Sequence, residues 1–166
     1  MIDIKLKYPL EDILKVKQRR VEEAEKQLQL KKQELVKEQD KLKEREKERD
    51  RVKGHYNDKL KQLRDEFDRG TTSPKIIDMK AYIKLVKENL AVEEKKVSDQ
   101  KAQVKVAEDN VVKAKKELEL RQKEVDKVNE HRADWIKGVM KEMEADEAKL
   151  QDEIGNIIFS LHHRKE

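Results

Sequence analysis

The sequence predicts an all-α fold, an antiparallel two-helix coiled-coil hairpin with a longer second helix. The composition, 47% charged and 35% apolar with a mean hydropathy of −1.11, leaves too few apolar residues to enclose a globular core. Apolar residues instead recur every seven positions along two long arms, which is typical of a coiled coil. The stretch DRGTTSPK, Asp68 to Lys75, separates the two arms and contains helix-breaking residues.

The first arm is predicted to be one helix over about residues 9–69. Proline is tolerated in a first helical turn, so we expect the helix to begin at Pro9, with Glu11 and Asp12 at its positive end. The heptad a positions are apolar with one exception, Arg49. They are Leu14, Val21, Leu28, Leu35, Leu42, Arg49, Tyr56 and Leu63.

The segment 70–74 is predicted to be a tight turn between two helices. Gly70 can adopt the left-handed conformation that ends a helix, and Thr72 or Ser73 can cap the next one, with Pro74 at its first position. The segment is too short to be a flexible linker between independent domains. It therefore indicates a single hairpin rather than two separate arms.

The second arm is predicted to be one helix over about residues 75–162. Its a positions are all apolar: Ile76, Ile83, Leu90, Val97, Val104, Val111, Leu118 and Val125. Its d positions are mixed: Met79, Val86, Glu93, Gln100, Ala107, Ala114, Arg121 and Val128. A register centred on Thr71 places Leu28 opposite Ala114, and it places the polar exception Arg49 opposite Glu93, where we expect an ion pair.

The second helix is predicted to continue roughly 30 residues, or ~45 Å, beyond the start of the first helix. We call this segment, from residue 133 onward, the overhang. The seven-residue frame shifts by four after Arg132, so the apolar stripe rotates there. Either a partner docks on the stripe, or the start of the chain covers part of it through Ile2, Ile4, Leu6 and Tyr8. The apolar residues of the overhang include Trp135, Ile136, Val139, Met140, Met143, Ile154, Ile157, Ile158, Phe159 and Leu161.

Several classes of function are not expected from this sequence. No apolar run approaches the ~18 residues of a membrane span, and no signal peptide is visible, so we expect a soluble protein without membrane insertion. Basic residues alternate with acidic ones, which argues against nucleic-acid binding. There is no cysteine and no catalytic or phosphate-binding motif, so we expect neither an enzyme nor a bound cofactor or metal ion.

Two parts of the chain carry a family resemblance. They are YPLEDIL, from Tyr8 to Leu14, and GTTSPKIIDMKAYIKLV, from Gly70 to Val86, which follows DRVKGHYNDKLKQLRDEF. With them, the hairpin resembles the stalk proteins of bacterial type III secretion, the FliJ/YscO family, and most closely its CdsO branch. The resemblance implies a monomeric coiled coil similar to the central stalk of rotary ATPases.

The resemblance also implies a function and a location. The end that carries both termini would sit in the hexameric secretion ATPase, while the tip side would contact the cytoplasmic ring of the export gate and so couple ATP hydrolysis to export. Members also bind export chaperones and the needle-length regulator. The protein would work in the bacterial cytoplasm, at the cytoplasmic face of the inner-membrane secretion apparatus.

In the flagellar relatives, the gate contact uses an aromatic, an aliphatic and a small residue spaced i, i+4 and i+7 after the turn. Tyr82, Val86 and Asn89 occupy these positions here, with Glu93 one turn further, and Asn89 departs from the small apolar residue. By the heptad pattern, Tyr82 and Asn89 flank the seam while Val86 and Glu93 lie in it. The residues implied in ATPase binding are Trp135, Ile136, Val139, Met140, Met143, Ile154, Ile157, Phe159 and Leu161.

Two other functions are compatible with a coiled-coil hairpin. One is a generic coiled-coil tether. The other is a prefoldin-like holdase, which is disfavoured because such a hairpin needs β-strand segments and the sequence shows none.

Overall fold

The computed structural model describes residues 7–164, which form two antiparallel helices packed as a coiled-coil hairpin. Helix α1 covers Glu11–Arg69 and helix α2 covers Ser73–His163. Within residues 7–164 there is no β-strand, and no helix is both long and apolar enough to cross a membrane. The predicted fold class, an all-α hairpin with a longer second helix, is confirmed.

Helix α1 begins two residues later than Pro9, at Glu11. Pro9 and Leu10 form a turn instead, in which the Glu11 N–H donates to the Tyr8 carbonyl at 3.1 Å. The fixed φ of proline suits this turn as well as it suits a first helical position. Glu11 and Asp12 lie in the first turn of the helix, where carboxylates interact favourably with the helix dipole.

The C-terminus of α1 ends in a Schellman motif. Gly70 has a φ of 74°, its N–H donates to the Phe67 carbonyl at 3.2 Å, and the Thr71 N–H donates to the Glu66 carbonyl at 3.3 Å. Lys75 of α2 forms an ion pair with Glu66 at 3.1 Å across the turn, and its hydrogen bond lowers the pKa of the Glu66 carboxyl. Glycine avoids the steric strain of this left-handed backbone, so the turn depends on Gly70.

The heptad stripes form the seam between the helices. No a position of either helix is exposed. Two valines of α2 that lie in the seam, Val97 at an a position and Val86 at a d position, are only 3% and 4% exposed. The heptad pattern therefore identified the packed face correctly.

The hairpin comprises two units. One contains the described residues up to Ala24 together with those from Leu118 onward, and its buried side chains are Tyr8, Leu14, Ala24 and Val125. The other is Glu25–Glu117, and its buried side chains are Leu28, Ile83, Val86, Leu90, Val97, Val104, Ala107 and Val111.

The predicted ion pair between Arg49 and Glu93 is wrong. Arg49 binds the neighbouring Asp50 at 2.9 Å, and Glu93 binds Lys96 of its own helix at 2.9 Å. Each side chain finds an opposite charge on its own helix, so neither has to cross the seam. The Oε2 atom of Glu93 is buried without a hydrogen-bond partner, so this position destabilises the seam.

Gln100 makes a polar contact between the two helices of the Glu25–Glu117 unit, and the sequence did not reveal this contact. Its side-chain amide donates to the backbone carbonyl of Glu38 at 3.0 Å and also to the Glu38 carboxylate. This hydrogen bond, together with one from Lys41, lowers the pKa of the Glu38 carboxyl. Gln100 thus satisfies its polar group at a d position by bonding to the opposite helix.

Candidate partner-binding sites

The four predicted gate-binding residues divide into two pairs. Tyr82 is 45% exposed and Asn89 is also exposed, whereas Val86 is buried in the seam. Glu93 lies at the edge of the seam with only 13% of its side chain exposed. A partner can therefore contact Tyr82 and Asn89 directly, while Val86 and Glu93 belong to the packed layer beneath them.

Two residues of α1 hold the Tyr82 side chain. The Nε2 atom of His55 lies 2.9 Å from the Tyr82 hydroxyl, and the two rings meet edge to face with their centroids 5.9 Å apart. The Nζ atom of Lys59 lies 5.5 Å from the centroid of the Tyr82 ring, within the range of a cation–π interaction. The exposed tyrosine of α2 is thus fixed in place from the opposite helix.

A shallow groove of about 250 Å³ lies beside the Tyr82 ring. Both helices contribute to it, and its walls combine apolar and polar side chains. The lining residues are Lys59, Gln62, Asp78, Met79, Tyr82 and Ile83.

The overhang presents a long exposed apolar stripe. Trp135 and Val139, at its beginning, are half-buried. The apolar residues from Ile136 onward are otherwise exposed, from 42% for Ile136 to 65% for Phe159. They are Ile136, Met140, Met143, Leu150, Ile154, Ile157, Ile158, Phe159 and Leu161.

An acidic band interrupts this stripe. Glu147 occupies the stripe itself, since it follows Met143 by four positions and precedes Leu150 by three. All residues of the band are exposed. The band consists of Glu142, Glu144, Asp146 and Glu147.

An aromatic cluster marks the beginning of the overhang. Tyr8 is only 4% exposed, its ring centroid lies 5.4 Å from that of Trp135, and its hydroxyl is hydrogen-bonded to Nδ1 of His131. Arg132 lies 6.0 Å from the centre of the Tyr8 ring and 3.7 Å from the carboxylate of Glu11. The chain start therefore covers Trp135 through Tyr8. Ile2, Ile4 and Leu6 lie outside the described residues.

Lys17 and Glu124 form an ion pair between the two helices near this cluster, with Nζ and Oε2 3.2 Å apart. The hydrogen bond from Lys17, supported by Arg121, lowers the pKa of the Glu124 carboxyl. Both side chains are about a quarter exposed, so the pair contributes to local pairing of the helices more than to a buried core.

Sequence reasoning missed the partners of two histidines. His55 is hydrogen-bonded to Tyr82 of the opposite helix, and His131 is hydrogen-bonded to Tyr8 in the turn before α1. The register contained a signal for both pairs, because it places Tyr82 and Tyr8 within a few residues of positions opposite these histidines. Among the described residues there is no cluster of three or more metal-ligating side chains.

The chain matches the model of the YscO-like protein family over residues 5–165. A solved structure of the YscO homolog CT670 from Chlamydia trachomatis is 46% identical in sequence and covers 97% of this chain and 99% of its own, with a TM-score of 0.92. A chain in the solved complex of CdsV and CdsO from Chlamydia pneumoniae is 49% identical over 48% of this chain and 96% of its own, with a TM-score of 0.47. None of the curated proteins compared with the chain matches it. The chain thus belongs to the YscO-like family, whose members are structural components of type III secretion.

Proposed function

We propose that this protein is the central stalk of a type III secretion ATPase complex. It would insert the overhang into the hexameric ATPase and contact the export gate with the surface around Tyr82, so that ATP hydrolysis is coupled to export. Membership of the YscO-like family supports a role in type III secretion. The observation that carries the stalk role is the exposed apolar stripe of the overhang, which the described residues leave uncovered from Ile136 onward.

The stripe supports insertion into a protein partner because it exposes large apolar side chains. An exposed stripe of this length is costly in water, and burying one large aliphatic or aromatic side chain gains about 1.5–3 kcal/mol. A ring-shaped partner can surround a helix and cover such a stripe along its length. We therefore assign ATPase binding to the overhang residues from Trp135 to Leu161.

The acidic band argues for a partner other than a second copy of this chain. Its four carboxylates outnumber the two neighbouring lysines, Lys141 and Lys149, so two overhangs paired in parallel would bring like net charges together. Like charges facing each other disfavour such a pair. We therefore expect a monomer whose partner carries basic side chains at the level of Glu147, between two apolar contact regions.

Tyr82 supports the proposed contact with the cytoplasmic ring of the gate. A half-exposed aromatic side chain that is fixed in one position is a typical anchor of a protein interface. Tyr82 and Asn89 would touch the gate, while Val86 and Glu93 would support them from the seam. In this proposal the protein works at the cytoplasmic face of the inner-membrane apparatus and has no enzymatic activity or cofactor of its own. Export chaperones and the needle-length regulator would be further partners.

Binding of the purified ATPase and the purified cytoplasmic domain of the gate tests the proposal. A variant with Ile154→Ser, Ile157→Ser and Phe159→Ser should lose ATPase binding and retain gate binding. Tyr82→Ala should do the reverse. Each truncated anchor is expected to lower affinity at least about tenfold.

A matched control replaces three exposed valines outside both surfaces, Val36, Val106 and Val112, with serine. This control should bind both partners like the wild type. If the wild type binds neither partner, the stalk role is wrong and a generic coiled-coil tether becomes the better account. The holdase alternative lacks the β-strands it requires within residues 7–164.

A further inference from the structure

We infer that His55 of α1 is a positioning residue for the gate contact, because it holds the Tyr82 side chain in the orientation that the gate binds. This inference rests on the gate contact proposed above. Residues of both helices would then form the contact surface, although the residues implied by the family resemblance all lie on α2.

The geometry around Tyr82 supports this role. An exposed aromatic side chain on a helix samples more than one rotamer, and binding must then select one of them. Here the hydrogen bond to His55 at 2.9 Å fixes the hydroxyl end of the side chain, and the edge-to-face contact fixes the ring plane. Lys59 adds a contact to the ring face. The side chain is thus ordered before a partner arrives.

Fixing the ring also maintains the groove beside it. Tyr82 forms one wall of this groove, and Met79 and Ile83 supply apolar surface next to it. If the ring turned away from His55, that wall would be lost. The geometry therefore suits an apolar side chain of the gate that packs against the Tyr82 ring.

His55 is exposed and lies outside the seam, unlike the buried Val86. Its removal should therefore leave the packing of the hairpin intact. A variant of His55 can therefore distinguish a positioning role from a structural role. Replacing a purely structural residue would change the stability of the hairpin and the binding of both partners together.

A double-mutant cycle with the full-length chain and the purified cytoplasmic domain of the gate tests the inference. The variants are His55→Ala, Tyr82→Phe and the double variant, and the measured quantity is the dissociation constant. Loss of the shared hydrogen bond should weaken gate binding about fivefold in either single variant. The double variant should be no weaker than His55→Ala alone, because His55→Ala already removes the hydrogen bond that Tyr82→Phe removes. His55→Gln, whose amide can reach the hydroxyl, should restore part of the affinity.

Asn57→Ala is the matched control, since Asn57 is exposed on α1 two residues from His55 and should not affect binding. Binding of the ATPase should be unchanged in all variants, and each variant should unfold in a single thermal transition close to that of the wild type. The inference is overturned if His55→Ala binds the gate like the wild type, or if the two single effects multiply in the double variant, and either result leaves the proposed function intact. If the wild type binds the ATPase but not the gate domain, the proposed gate contact fails and the inference falls with it.

Discussion

Leu28 and Leu30 provide a direct test of the seam. Leu28 is 8% exposed, whereas Leu30, on the same helix, is 49% exposed. Leu→Ala removes the equivalent of three methylene groups, worth roughly 0.8 kcal/mol each when fully buried, so the transfer contribution at Leu28 is about 2 kcal/mol. A cavity adds to this, but a seam between only two helices can partly close around it. We expect Leu28→Ala to lower the free energy of unfolding by about 2–3 kcal/mol, near the low end for buried leucine.

Leu30→Ala is the matched control, because it makes the same chemical change on the same helix and has the same effect on helix propensity. It should cost about 1 kcal/mol or less, in proportion to its exposure. Urea unfolding followed by circular dichroism at 222 nm measures the free energy of unfolding of both variants. We expect this free energy to fall with urea concentration at the same slope in both. Equal losses in the two variants would refute the assignment of the heptad stripe as the packed face.

Two further predictions concern the turn and the contacts between the helices. Gly70→Ala should destabilise the protein by about 1 kcal/mol, because a φ of 74° strains any residue that has a Cβ. Gly54→Ala should instead stabilise the protein by about 1 kcal/mol, because Gly54 lies in the middle of a helix with open space around it. Thermal unfolding measures both variants, and equal effects would contradict the turn geometry. Lys17→Met should lower the free energy of unfolding at neutral pH, and the difference from the wild type should shrink as the pH falls. The reason is that the pKa of the Glu124 carboxyl is lowered in the folded protein. Its stabilising contribution is present above the ordinary pKa of the carboxyl and is lost as the pH falls through the folded-state pKa. A difference that stays constant down to acidic pH would contradict that ion pair.

The fold could be predicted from the sequence because a coiled coil depends on one repeated pattern. The seven-residue spacing identified the residues that the seam buries, such as Val97 and Val104, and Gly70 identified the end of α1. These features depend on backbone geometry and on the burial of apolar side chains, which a linear pattern records directly.

The polar contacts were harder to predict because long side chains have several partners within reach. Arg49 was expected to meet Glu93 and instead binds Asp50 on its own helix. A register positions Cα atoms, but the choice among nearby charges depends on rotamers and solvent exposure. For the same reason, the register brought His55 and Tyr82 near each other but did not show that they form a hydrogen bond.

The candidate sites could be predicted only in part. The sequence located the apolar residues of the overhang, and the structure shows which of them are exposed. It offered Tyr8 as one of the residues that cover part of the stripe, but it did not reveal that Tyr8 packs on Trp135, because that contact depends on the path of the turn at Pro9.

The rate of ATP hydrolysis by the purified secretion ATPase, measured with and without this protein, tests the central claim most directly. We expect the wild type to increase the rate and the variant with Ile154→Ser, Ile157→Ser and Phe159→Ser not to increase it, while circular dichroism shows that the variant remains helical. The serine variant of Val36, Val106 and Val112 should activate the ATPase like the wild type. An overhang variant that activates the ATPase as well as the wild type does would contradict the stalk function.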